Sequence, residues 1–189
     1  HDLFALAGAD GSPTALGIDH QQGGRNAPTV WNAAFQSLLF WDGRAGSLEE
    51  QAKGPLINPV EMGMPSLAAV EERVRQQAHY PEAFIRAFGD DGTISIERIA
   101  QAIAAYERSL ITSDSPYDRF VRGDDTALSS AQLRGMNLFQ SLGCINCHHG
   151  PNFSAASLFD DQMPRRLFPA NPTPYEQRYD LVGDGGAAG

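Results

Sequence analysis

The sequence predicts an all-α fold with long irregular connections, on three observations. Serine-led helix starts recur. Ser47-Leu48-Glu49-Glu50 and Ser129 to Gln132 carry the capping-box pattern, and Ser66 and Ser95 each precede an apolar run. Behind these starts the apolar residues return every three or four positions, the period of a helix face. Gly, Pro, Asp and Asn gather between those runs rather than within them, as connecting loops require.

Residues 1–25, rich in Gly, Asp, His and Gln, read as loop. Asn26 with Pro28 behind it predicts a short helix whose apolar side carries Val30, Ala33, Ala34 and Leu38. Phe40 to Ala45 turns the chain. The helix capped by Ser47 is expected to end near Gly54-Pro55, because proline has no N–H to continue it. Asn58-Pro59-Val60-Glu61-Met62-Gly63 is a turn-rich link that sets Glu61 off the end of regular structure. After Ser66, Leu67, Val70 and Val74 make a dry face, with Glu71, Glu72, Arg73 and Arg75 on the wet one.

Pro81 opens a helix through Phe84, Ile85 and Phe88, stopped by Asp90-Asp91-Gly92. Ser95 caps the longest helix, with Ile96, Ile99, Ile103, Tyr106 and Leu110 as one core stripe. Thr112-Ser113-Asp114-Ser115-Pro116, short and polar, is the best domain boundary. A small helix follows around residues 117–121. The helix after Ser129 then carries Leu133, Met136, Phe139 and Leu142. Gly135 inside it predicts a close helix crossing that compensates its poor propensity. Beyond Gly150 the chain is Pro-rich and loop-like.

Composition narrows the function. The chain has 189 residues, 42% hydrophobic and 20% charged, ordinary for one large or two small folded domains. No apolar run approaches the roughly 18–20 residues that span a membrane. A net charge of −9 argues against a nucleic-acid partner and suits a basic one, such as a positively rimmed electron-transfer protein. The chain opens on His1 rather than Met and stops in Gly183-Asp184-Gly185-Gly186-Ala187-Ala188-Gly189, which predicts a piece of a longer protein.

The most specific motif is Cys144-Ile145-Asn146-Cys147-His148, the attachment signature of a c-type haem. Two thiols on one turn can reach the two vinyl groups of a porphyrin, and the next residue can ligate the iron from below. A thioredoxin-like CxxC would follow a strand, whereas Ser129 to Leu142 reads as helix. A structural zinc site needs four ligands, and these two are the chain's only cysteines. Haem is the reading these comparisons favour. Because c-type haem is attached outside the bacterial cytoplasmic membrane, it predicts a periplasmic protein.

Further motifs carry a family resemblance: Gly24-Arg25-Asn26-Ala27-Pro28-Thr29, Phe40 to Ala45, Ser47 to Ala52, Pro55 to Gly63, Ala105 to Leu110, and Gly143 to Phe153. In order and spacing they resemble the bacterial di-haem cytochrome c peroxidases, a superfamily that includes the MauG-type di-haem oxygenases. The resemblance implies two cytochrome c-like haem domains, 1–112 for the peroxidatic haem and 113–189 for the electron-transfer haem, both incomplete in this chain. In that alignment His1 falls where the histidine of a first CxxCH stands, and the second ligand of the other haem, Met or in MauG-type members Tyr, lies beyond the end.

The resemblance also implies roles. His1 would be the proximal ligand of the first haem, Glu61 the distal acid/base and Gln51 the amide that orients peroxide. His20 would be the exchangeable sixth ligand. Trp41 would be the oxidisable bridge between haems, and Asn26 a ligand of an inter-domain calcium. Cys144, Cys147 and His148 would hold the second haem. Hydrogen peroxide would be the substrate, a small cytochrome c or cupredoxin the donor, and the intact protein a homodimer. A MauG-like oxidase and a non-catalytic electron-transfer cytochrome are the alternatives. Trp31, His79 and His149 read as structural.

Overall fold

Five of the six α-helices among the described residues begin on a serine hydroxyl. The computed structural model describes residues 2–89 and 91–159. His1, Asp90 and the run 160–189 lie outside the described residues, and with them the ligand role expected of His1. The helices are α1 (Leu48–Ile57), α2 (Leu67–Arg75), α3 (Tyr80–Phe88), α4 (Ile96–Ser109), α5 (Pro116–Val121) and α6 (Ser130–Ser141). Ser47, Ser66, Ser95, Ser115 and Ser129 each accept from the backbone N–H three residues on, satisfying a donor that the first turn leaves open.

Ser115 and Ser129 complete reciprocal boxes with Asp118 and Gln132. Ser47 makes only half of one, since the Glu50 carboxylate reaches back to Gly46 N–H instead, at 2.8 Å. The box at Ser115 was not legible as such, because Pro116 marked the segment as linker.

Three expectations are corrected. The helix predicted from Asn26 reduces to a single 3-10 turn, Ala33–Phe35, because Asn32 adopts a left-handed conformation (φ 59°) that interrupts the right-handed path. The Asn26 amide donates to Ser12 O at 2.5 Å. The helix expected to stop at Gly54-Pro55 runs on to Ile57, with Asn58 N–H bonded to Gly54 O at 3.2 Å. Pro55 removes one hydrogen bond, but burial of Leu56 holds the last turn in place.

The third concerns the stripe on α4. Ala100 and Ala104 are fully buried, while Tyr106 stands in solvent. At about 100° per residue, Tyr106 lies about 80° to one side of Ile96, whereas positions 100 and 104 lie about 40° and 80° to the other, so the buried face is turned toward the alanines. The two alanines let α1 lie close along α4.

The core joins Leu56 of α1, Val70 of α2, Phe84 of α3, Ile94, and Ile96 and Ile99 of α4. Each such side chain contributes roughly 1.5–3 kcal/mol on burial. By contrast, neither α5 nor α6 buries a single residue against protein. What joins that half to the rest is the loop after the CxxCH. Ser37 N–H donates to Ala156 O (3.1 Å) and Leu158 N–H to Phe35 O (2.9 Å). The ring of Phe35 packs on Phe159, with centroids 5.9 Å apart. Among the described residues there is no strand, only isolated bridges, and no helix is long and apolar enough to cross a membrane.

Candidate haem site and catalytic turn

Gly143, at φ 80°, ends α6 and turns the chain into the 3-10 turn Cys144–Asn146. His148 N–H donates to Cys144 O at 2.9 Å, so the whole motif wraps on one turn. Both cysteines are free thiols, Cys144 exposed and Cys147 half-buried. No cluster of three or more metal-ligating side chains occurs among the described residues, so nothing there supports the zinc reading.

The imidazole of His148 lies beside the Phe139 ring, centroids 6.3 Å apart, and is oriented by a hydrogen bond from Nδ1 to the backbone carbonyl of Phe153 at 3.1 Å. The carbonyl can only accept, so Nδ1 carries the proton and Nε2 is left with a lone pair for a metal. That imidazole opens on an apolar cavity of about 410 Å³ lined by Tyr117, Gly135, Met136, Phe139, His148 and Phe153. The Tyr117 and Phe153 rings meet at 4.9 Å, Phe139 and Phe153 edge to face at 6.1 Å.

Gly135 was expected at a close helix crossing. A Cβ built there would meet nothing within 4 Å, so the glycine widens the cavity wall instead. Two free thiols, a tautomer-fixed histidine and an apolar cavity beside them fit a covalent haem. The stripe of α6, which stays half-buried among the described residues, faces that space through Met136 and Phe139.

The second region lies at the C-terminal end of α1. Gln51 sits at mid-helix, and Met62 N–H bonds to Pro55 O at 3.2 Å, folding the Glu61 turn back over the last turn. Against this turn lies the His20 loop. Ile18 N–H donates to Glu61 O at 2.7 Å, and Gln21 Nε2 to Pro59 O at 3.2 Å. The approach demands glycine at position 17, because a Cβ there would lie 1.9 Å from Val60 O. Asp19 and His20 both take left-handed conformations (φ 54° and 59°), and His20 is exposed. The structure thus joins the His20 loop to the Glu61 turn, and both to the helix of Gln51.

Trp41 is 67% exposed, and its indole Nε1 donates to Asn26 O at 2.9 Å. One residue either side, Arg25 bonds Asp42 at 2.8 Å, and Arg44 grips the same carboxylate while lying over the Phe40 ring at 3.4 Å. Partial burial pushes the Asp42 carboxyl up, but the hydrogen bonds from Arg25 and Arg44 outweigh it and hold it below the usual value of 3.8. Sequence reasoning missed this clasp. Trp31, read as core, is half-buried and ties its Nε1 to Leu3 O at 3.0 Å. His79 stacks on Tyr80 beside the start of α3.

An all-α scaffold with a CxxCH turn and an iron-ready histidine defines a c-type cytochrome. Residues 1–126 match the family model for the di-haem cytochrome c peroxidases. Cytochrome c551 peroxidase of Pseudomonas aeruginosa is 46% identical over 154 residues, covering 80% of this chain and 44% of the relative. Methylamine utilization protein MauG of Methylophilus methylotrophus is 38% identical over 161 residues, covering 84% and 48%. Among solved structures, a MauG-like protein associated with microbial copper homeostasis superposes with a TM-score of 0.70 at 28% identity, over 93% of this chain and 55% of that one. The chain belongs to the di-haem cytochrome c peroxidase family, whose cofactor is haem, and spans about half the length of these curated relatives.

Proposed function

We propose that this chain is the catalytic portion of a periplasmic, homodimeric peroxidase that reduces hydrogen peroxide to water. Cys144, Cys147 and His148 would hold the haem that takes electrons from a small cytochrome c or cupredoxin, and His1 would ligate a second haem at which peroxide is reduced. The observation that carries this reading is the junction of the His20 loop, the Glu61 turn and α1 through the Ile18 N–H to Glu61 O bond. Haem, when bound, supplies the redox capacity and Lewis acidity that a carboxylate and an amide lack.

The chain's own groups handle protons and orientation. The Glu61 carboxylate takes a proton from one peroxide oxygen and delivers it to the other, so that H2O2, two electrons and two protons yield two waters. The Gln51 amide, both donor and acceptor, orients the peroxide. His20 would be an exchangeable ligand of the His1 haem, and Trp41 the oxidisable side chain that serves both sites. Asn26 contributes its side-chain carbonyl to a calcium ion, its amide nitrogen being committed to Ser12 O.

The test is peroxide-dependent oxidation of a reduced small cytochrome by the full-length, haem-loaded protein. Turnover supports the reading, and two haems without turnover after reduction would reassign the chain as an electron carrier. The 38% identity to a protein named MauG and the likeness to a MauG-like structure favour one second reading, an oxidase acting on a protein or organic substrate. Peroxide consumption with no oxidised cytochrome would select it.

A further inference from the structure

Phe153 is a bulky residue held left-handed, at φ 51°, a conformation that survives only where the surroundings impose it. Its carbonyl is the acceptor for His148 Nδ1–H. Both neighbours are fastened to the other half of the molecule. Asn152 Nδ2 donates to Phe35 O at 3.2 Å and to Ser157 Oγ at 3.3 Å, and Ser154 Oγ donates to Gln36 Oε1 at 3.1 Å. Ser157, only 1% exposed, also accepts from Phe159 N–H, which closes the loop on itself.

We propose that Asn152 is a positioning residue: by fastening this loop to Phe35 O it holds the Phe153 carbonyl against His148 Nδ1–H, and so ties the iron-ligating imidazole to the N-terminal half of the protein. A firm Nδ1–H to carbonyl bond makes the imidazole more basic and fixes its ring plane, and a more basic ligand favours ferric iron over ferrous. The packing between the halves thereby sets the potential of the haem on Cys144 and Cys147.

The proposal rests on the reading of His148 as an iron ligand, and the test separates the two. Asn152→Leu keeps the approximate size of the side chain and removes its donor without adding charge. In the full-length haem-loaded protein it should raise the midpoint potential of the C-terminal haem by the equivalent of roughly a tenfold weaker preference for ferric iron, about 59 mV for one electron. Gln36→Ala, made from the opposite side of the interface and away from the motif, should shift it the same way by less. The 15N resonance of His148 Nδ1, read in selectively labelled protein, should report a weaker hydrogen bond in both. Unchanged potential and unchanged Nδ1 resonance in either folded variant would overturn the positioning role. Absence of covalent haem in the parent protein would instead sink the site assignment itself.

Discussion

Trp41 and Asn26 are joined by an indole-to-carbonyl hydrogen bond of 2.9 Å, and the residues flanking them, Asp42 and Arg25, close a salt bridge of 2.8 Å alongside it. Two segments 15 residues apart are thus clasped at two successive positions. The indole is exposed, so this bond, not burial, fixes its ring.

Asp42→Asn should loosen that clasp. Hydrogen bonds to a charged group contribute about 1.5–3 kcal/mol, and a loss of that order is expected in denaturant unfolding, with a shift of the Trp41 indole N–H resonance. The folded-state pKa of Asp42 is depressed, so its contribution is complete above the ordinary value of 3.8 and disappears as pH falls through the lower folded value. An acid titration of the indole resonance should therefore reproduce the variant's spectrum only below about pH 4.

Glu61→Gln in the full-length protein should leave haem content intact and lower peroxide turnover by roughly 10²-fold or more, the usual contribution of a general acid/base. Undiminished turnover would remove Glu61 from the mechanism.

Cys147→Ala should abolish one thioether at the C-terminal site. The pyridine haemochrome spectrum should shift toward that of a singly attached haem, with lower haem occupancy. A normal spectrum would place the attachment elsewhere.

Glu107 offers a prediction of the opposite sign to Asp42. Its Oε2 is buried without a hydrogen-bond partner, and its pKa is raised, chiefly by burial, with Arg108 lowering it and Glu49 adding to the rise. For a carboxyl raised in the folded state, the stabilising contribution exists at low pH and is lost as pH climbs through the folded value. Glu107→Gln should therefore raise Tm near pH 7 by about 2–4 °C, the effect of roughly 1 kcal/mol in a chain of this size, and the gain should vanish in acid. Arg108 is bound by Glu49 at 2.6 Å and stays in place in the variant.

Much of this arrangement was legible in the sequence because its signals are local. A serine three residues before a carboxamide or carboxylate announces Ser129 and Ser47. The CxxCH turn announces the candidate haem site, and Pro59 and Gly63 bracket the turn of Glu61. What stayed hidden is what depends on distant or backbone partners. Nothing near Asp42 foretells Arg25, 17 positions away. The acceptor for His148 is a carbonyl, which every residue has, so no side-chain pattern could nominate Phe153. Gly135 was misread because a glycine in a helix looks the same whether a second helix or a prosthetic group needs the room. Tyr106 was misplaced by extending a helical stripe nearly three turns, to a position about 80° from Ile96 on the side away from the buried alanines.

The want of any buried residue in α5 and α6 has a consequence for how such a protein is made. Among the described residues these helices have no interior of their own, and a ring bound on Cys144 and Cys147 would supply one. The unloaded chain should therefore be cut first in this half under limited proteolysis, and haem loading should slow that cut.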